Sequence, residues 1–194
     1  MQQLGNGLSA AGHDEDALTV EEAQLSMERR LGAPLDTMLH VQMNLAISYS
    51  AVGRDEEGSN MLRDVYSGRL KLYGEEHEDT LRAAYNYATS LTVLQRFEEA
   101  RSLLRRIIPV ARRAIGENQG LTLDMRWAYA EALYKADGAT LDDLREAVTT
   151  LEDVARISRR VLGGAHPIAK GIERRLRDAR EALAARETPS PGRW

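Results

Sequence analysis

The chain has 194 residues and no cysteine, and its 26 lysines and arginines against 30 aspartates and glutamates give a net charge of −4. The missing cysteines exclude disulfides and thiolate metal sites, and the mildly acidic charge argues against nucleic acid as a partner. Hydrophobic residues make up 43% of the chain, but no run is long enough to span a membrane and no signal peptide is recognisable, so we expect an ordered cytoplasmic protein without a membrane partner.

The first predicted element is an incomplete helical hairpin at residues 1–32. Gln3-Leu4 aligns with Asn44-Leu45, so residue 1 falls midway through the first helix of a repeat. The second helix is predicted from about residue 17 to residue 31. Because the partial first helix covers its apolar face incompletely, we expect the chain to self-associate through its N-terminal end. The predicted face consists of Val20, Ala23, Met27 and Leu31.

Three full helical hairpins are predicted next, at residues 33–74, 75–116 and 117–163. An apolar residue followed by glycine separates the units, and the glycines are spaced by 42, 42 and 47 positions at Gly32, Gly74, Gly116 and Gly163. Such a fixed period predicts a repeat architecture. The third hairpin carries five extra residues, which we place in the turn between its helices. Thr140 and Asp143 are expected to cap the helix that follows this turn.

Two registers within the hairpins predict how they pack. The first helices share a small residue at Ala46, Ala88 and Ala130, which lets a neighbouring helix approach closely. The second helices share an inward stripe with steps of four and three residues, a spacing that predicts helices rather than strands. The stripe consists of Gly58-Leu62-Val65, Ala100-Leu104-Ile107 and Ala147-Leu151-Val154.

Three residues depart from regular helix patterns. Pro109 lies inside a second helix, where the missing backbone N–H predicts a kink. Gly58 and Gly68 lie in the second helix of the preceding unit, and we expect them to loosen it by about 1 kcal/mol each.

One capping helix is predicted to end the array at residues 164–186. In that helix Arg177 takes the place that Ala130 holds one repeat earlier, and a large charged side chain there is expected to form a solubilising outer face. Residues 187–194 contain two prolines and are predicted to be a disordered tail.

These patterns resemble the 42-residue tetratricopeptide repeat of kinesin light chains, over roughly residues 1–170. The resemblance rests on the Leu-Gly pairs, Thr80 and Thr122, the segment 44–49 (Asn-Leu-Ala-x-x-Tyr) and the segment 53–57 (Gly-Arg-x-Glu-Glu). It implies an all-α, right-handed α-solenoid of antiparallel helix hairpins over residues 1–186, without a cofactor. It also implies an adaptor or scaffold that binds other proteins.

In such arrays the first helices line a concave groove, and the resemblance together with helical geometry places partner-binding side chains there. An asparagine in this groove suits the backbone of an extended peptide because an amide both donates and accepts; the alternative is that Asn44 and Asn86 only bond neighbouring helices. Tyr85 and Trp127 either anchor a partner or pack between helices. The predicted surface consists of His40, Asn44 and Ile47, then Arg82, Tyr85, Asn86 and Thr89, and finally Asp124, Trp127 and Glu131, with Met43 beside them.

Other polar residues are assigned structural roles. The four histidines are widely separated, so we predict no metal site, and His77 and His166 are expected to shape turns. The acidic run at residues 75–79 begins a helix, where carboxylates are ordinary. For the arginines of the last helix, Arg174, Arg175 and Arg177, a charged cap face is favoured over an acidic partner.

Two functions remain open. The first is a non-enzymatic module that binds a peptide or helix of a partner protein in its groove. The second is a structural subunit that assembles through its N-terminal end or convex face. No nucleophile with an adjoining base is readable in the sequence, so no catalytic residue is predicted.

Overall fold

The computed structural model describes residues 14–188, and every regular element in that range is an α-helix. This confirms the all-α prediction. The first helix of the predicted truncated repeat and most of the predicted tail lie outside the described residues. The helices are α1 (Asp14–Arg30), α2 (Leu35–Ala51), α3 (Asp55–Tyr73), α4 (Glu78–Val93), α5 (Phe97–Ala114), α6 (Gly120–Lys135), α7 (Leu141–Leu162) and α8 (Pro167–Glu187).

The chain divides into two compact units, and the division along the sequence falls between Leu94 and Gln95. The first unit contains α1 to α4 and the second contains α5 to α8. Within each unit every helix packs against the next one along the chain, and α8 contacts α6 as well as α7. Short turns join packed neighbours into helical hairpins, among them α2 with α3 and α6 with α7. The bounds of the repeats stay a prediction. None of the helices in residues 14–188 is long and apolar enough to cross a lipid bilayer.

The small residues of the first helices lie in the core, as predicted. Ala46, Ala88 and Ala130 are each 0% exposed. The stripes of the second helices are buried as well, from Gly58-Leu62-Val65 in α3 to Ala147-Leu151-Val154 in α7. Both registers therefore identified the faces on which the helices pack.

The apolar face predicted on α1 lies partly open to solvent. Val20 and Met27 are half-buried, Ala23 is exposed, and Leu31, just beyond the helix, is 72% exposed. A different face of α1, with Leu18 and Leu25, packs against α2 at Val41, Leu45 and Tyr49. Glu21 also lies on the buried side of α1 and is 5% exposed, so this stripe does not read as apolar in the sequence.

Both glycines of α3 allow close packing rather than simply loosening the helix. A Cβ atom on Gly58 would lie 2.6 Å from the carbonyl oxygen of Ala46, and one on Gly68 would lie 2.6 Å from Cδ2 of Leu39. The second helix of the next repeat, α5, continues through Pro109 to Ala114. A kink at Pro109 stays a prediction.

The residues predicted to cap helices or shape turns form hydrogen bonds with the backbone at the helix starts. The hydroxyl of Thr140 accepts a hydrogen bond from the Asp143 N–H at 3.1 Å, and the Asp143 carboxylate accepts one from the Thr140 N–H at 3.0 Å. This capping box confirms the predicted cap. The five extra residues are only partly in the turn as predicted: the turn at 136–140 is two residues longer than the one at 94–96, and α7, with 22 residues, is longer than α3 with 19. His77 and His166 each accept a backbone N–H through Nδ1 at the start of α4 and α8, which confirms their role in turns.

Candidate protein-binding surface

The candidate surface of the first unit is formed by α2 and α4. On α2, His40 and Ile47 are exposed and Asn44 is half-buried. These positions are four and three residues apart, so they share one face of the helix. On α4, Arg82 and Thr89 are exposed, and between them Tyr85 and Asn86 are half-buried. The sequence therefore identified positions that solvent reaches.

These two helices meet in one apolar cluster. Leu39 of α2, Val65 of α3 and Ala83 of α4 are buried together, and Met43 and Tyr66 pack against them. Because Leu39 and Met43 lie next to the candidate residues of α2, and Ala83 lies next to those of α4, this apolar cluster holds the two helices in position within the first unit.

We call the exposed and half-buried candidate side chains of these two helices the amide surface; it consists of His40, Asn44, Ile47, Arg82, Tyr85, Asn86 and Thr89.

The two asparagines of the amide surface have no hydrogen-bonding partner within residues 14–188. Neither the Asn44 nor the Asn86 side chain takes part in an interaction with a described residue. Each amide offers two N–H donors and one carbonyl acceptor. The alternative that these amides bond neighbouring helices is therefore not supported by any bond in the described part of the chain.

Neighbouring polar side chains of α4 are held within the helix itself. Arg82 forms an ion pair with Glu78, one turn earlier. The Thr89 hydroxyl donates to the Tyr85 carbonyl oxygen at 3.0 Å. These contacts leave the charge around Asn86 balanced, since the one cation on this face has its own carboxylate.

The remaining predicted residues, on α6 in the second unit, have different surroundings. Trp127 lies against α8, because a Cβ atom on Gly171 would be 3.6 Å from the ring atom Cη2. Glu131 forms ion pairs with Lys135 and Arg175. Asp124 is half-buried. For Trp127, the contact with Gly171 corresponds to the alternative of packing between helices.

The asparagine register does not continue into α6. Ala128 takes the position that Asn44 and Asn86 hold in the two earlier repeats. Tyr134 was not among the predicted residues. It lies two turns after Trp127, and its hydroxyl is buried without a partner in the described residues. Burial raises the pKa of Tyr134, and the nearby Glu131 carboxylate adds to this effect. The sequence feature that could have identified Tyr134 is its position seven residues after Trp127, which places both aromatic side chains on one face of α6.

Two buried arginines were also not predicted from the sequence. Arg69 is 4% exposed and pairs with Asp36 and, at 3.6 Å, with Asp79, which lie on the helices before and after it. Arg126 lies 3.4 Å from Asp153, and burial is the main cause that lowers its pKa. Each cation links consecutive helices, so we assign both a structural role.

No cluster of three or more histidines, aspartates or glutamates within residues 14–188 is arranged to hold a metal ion. Two carboxyl groups have their pKa lowered by an arginine of the same helix turn. The Arg54 guanidinium lowers the pKa of Glu57, and the Arg96 guanidinium lowers that of Glu99.

The tetratricopeptide-repeat family matches the chain at residues 38–79 and again at residues 80–119. Two adjoining matches of repeat length agree with the sequence period and with the helical hairpins. Residues 38–119 are thus identified as two tetratricopeptide repeats. A search of curated proteins found no significant match.

Solved structures extend the tetratricopeptide-repeat assignment to the fold of nearly the whole chain. Two structures of the nearly identical repeats of a candidate kinesin light chain from Podosopora anserina match with TM-scores of 0.79 and 0.77, at 22% and 23% identity. Each match covers 95% of this chain, and 85% and 86% of the other chain. BtubC (BKLC) from P. vanneervenii matches with a TM-score of 0.64 at 17% identity, over 98% of this chain and 82% of that one. The kinesin-light-chain-like class of repeat fold is thereby confirmed.

Proposed function

We propose that this protein, which has a tetratricopeptide-repeat fold, is a non-enzymatic adaptor whose amide surface binds a peptide or helix of a partner protein. Tetratricopeptide repeats are in general protein interaction modules. The single observation that supports this surface is that Asn44 and Asn86 occupy the same register of consecutive repeats with amides that no described residue bonds. Half-buried amides that no described residue bonds are free to bond the backbone of a partner.

The chemistry of the surface favours a peptide backbone. A side-chain amide presents a donor and an acceptor side by side, as a peptide group does, so two amides in one register hold an extended segment at two points. Ile47 is 53% exposed one turn after Asn44, and it provides an apolar contact for a partner side chain. The cation of Arg82 is already paired with Glu78, so a strongly acidic segment is not required.

The experiment compares two double variants in affinity capture from a lysate, followed by mass spectrometry and titration of the recovered partner. Asn44→Ala with Asn86→Ala should weaken binding at least tenfold, because two desolvated hydrogen bonds are lost at about 1 kcal/mol each. Adding Tyr85→Ala should abolish capture. The matched control is Asn60→Ala with Asn118→Ala, since both of these asparagines are exposed elsewhere.

Circular dichroism should show equal helicity in every variant. If the Asn44/Asn86 variant captures the same partner with unchanged affinity, the amide surface is not the binding site. If both double variants lose binding equally, the effect is not specific to this register and the proposal fails as well.

A second candidate function is assembly through the N-terminal end. It is supported by two leucines around the first turn, since Leu31 is 72% and Leu35 is 56% exposed. Exposed apolar side chains next to each other favour association. Light scattering after size exclusion should then show oligomers that Leu31→Ser with Leu35→Ser converts to monomers. A monomer whose mass does not depend on concentration removes this candidate.

A further inference from the structure

The last helix carries a row of cations on the face that points away from the core. Lys170, Arg174 and Arg177 are all exposed, and their spacing of four and three residues places them on one side of α8. Ile172 and Leu176 are buried on the opposite side. We call Lys170, Arg174 and Arg177 the cationic row.

The cationic row has no carboxylate of its own. None of its three side chains forms an ion pair or hydrogen bond with the residues that the structure describes. The arginines on either flank behave differently: Arg175 pairs with Glu131 and Asp178, and Arg180 pairs with Glu152. A face that only keeps a helix soluble is expected to mix both signs of charge. Within residues 170–177 the one carboxylate is Glu173, which is paired with Arg159 of α7, and the next acidic side chain on this face is the exposed Glu181.

The repeat register identifies what kind of surface this is. Lys170 and Arg177 take the positions that Leu123 and Ala130 hold one repeat earlier. Those two residues of α6 are 7% and 0% exposed, and α6 packs against the helix that follows it. The cationic row therefore lies where a first helix of this fold accepts a neighbouring helix. Within residues 14–188 no helix packs on that side of α8.

We propose that the cationic row is a docking face for an acidic helix of a partner protein, with carboxylates spaced three and four residues apart. Such a helix lies along α8 as a second helix lies along a first one, and each cation then meets a carboxylate. Charge complementarity selects the partner, since three unpaired cations repel a basic surface and gain little from a neutral one. The net charge of −4 for the whole chain weakens non-specific attraction to long polyanions. This site is independent of the amide surface.

The test measures fluorescence anisotropy of a labelled alanine-based helical peptide with glutamates at positions i, i+4, i+7 and i+11, titrated with the full chain. Lys170→Gln, Arg174→Gln and Arg177→Gln together should weaken its binding about tenfold, through loss of three exposed ion pairs. The matched control removes three other exposed cations, by Arg29→Gln, Lys71→Gln and Arg160→Gln. It changes the net charge equally and should alter the affinity by less than about twofold. A peptide with glutamine in place of glutamate should not bind.

Three outcomes overturn the proposal. In the first, the peptide binds the cationic-row variant as tightly as it binds the unsubstituted chain. In the second, the control variant loses as much affinity as the cationic-row variant, so that only net charge is being measured. In the third, vesicles containing phosphatidylserine or a single-stranded RNA bind through the cationic row while the acidic peptide does not. If the triple variant loses helicity, the single charge reversal Arg174→Glu replaces it and should abolish peptide binding.

Discussion

Gly58 of α3 packs against the backbone of Ala46 in α2, so closely that a Cβ atom on Gly58 would lie 2.6 Å from the Ala46 carbonyl oxygen. Both residues are buried. A backbone oxygen cannot rotate away as the end of a side chain can, so the two helices would have to separate to admit a methyl group. The small residues of this hairpin thus set the distance between its helices.

Gly58→Ala should therefore destabilise the protein. Helix propensity alone favours alanine by about 1 kcal/mol, but overpacking costs about 1–3 kcal/mol. We therefore expect a net loss of up to about 2 kcal/mol in the free energy of unfolding, measured in urea. The control is Gly120→Ala, since no atom lies within 4 Å of the added Cβ there. A variant at Gly58 as stable as the control would show that the hairpin relaxes freely.

Ala88→Leu tests the same packing in α4. Ala88 is 0% exposed, and three additional carbon atoms at this site should cost about 1–3 kcal/mol. Ala51→Leu at the exposed end of α2 should change the stability by less than about 0.5 kcal/mol. Thermal melts of both variants provide the measurement, and equal melting temperatures would contradict the assigned register.

Gly53 and Gln95 occupy equivalent turns but carry different residues. Both have left-handed backbone conformations, with φ of 78° and 59°. A residue with a Cβ atom is strained there by about 1–2 kcal/mol, while glycine costs about 0.5–1 kcal/mol of chain entropy. We therefore expect Gln95→Gly to raise the free energy of unfolding by about 0.5 kcal/mol and Gly53→Gln to lower it by a similar amount. Shifts of the same sign in both variants would exclude this explanation.

The capping box at the start of α7 should make the free energy of unfolding depend on pH. The Thr140 N–H and hydroxyl both donate to Asp143, with Arg101 nearby, and these contacts lower the pKa of the Asp143 carboxyl. The unfolded chain then binds more protons at low pH, so this stabilisation is complete above the unfolded value of about 3.9 and disappears as the pH falls through the folded value. Asp143→Ala should cost about 1–2 kcal/mol at pH 7.

Urea unfolding at several pH values measures this effect. The difference between the unsubstituted chain and the Asp143→Ala variant should shrink as the pH falls below about 4. Asp137→Ala, in the exposed part of the same loop, serves as the control and should leave stability nearly unchanged. A constant difference across the pH range would mean that the carboxylate contributes through packing and not through its charge.

The residues that could be predicted from the sequence are those whose type is determined by helix packing alone. Ala46, Ala88 and Ala130 recur because a helix crossing admits only a small side chain, and such a constraint repeats with the fold. The capping box of Thr140 and Asp143 is local in sequence, so it too was readable. The exposed candidates of α2 and α4 followed from the resemblance to tetratricopeptide repeats together with helical periodicity.

Residues whose environment comes from distant parts of the chain were not predictable in this way. Arg69 is buried only because Asp36 and Asp79 approach from two other helices, and no local pattern announces that meeting. The buried face of α1 was not recognised because an acidic residue, Glu21, occupies a position where an apolar residue is expected. Trp127 has its surroundings set by Gly171 on α8, so its role depended on a contact across 44 positions of sequence.

The three alanines at the helix crossings have a consequence for how this protein can evolve. A site that admits only one methyl group accepts very few replacements, while the outward positions beside it, such as Asn44, Asn86 and Ala128, can diverge without disturbing the scaffold. Tolerance to substitution should therefore rise and fall along the chain with the repeat length. Recognition can change one repeat at a time while the architecture stays constant.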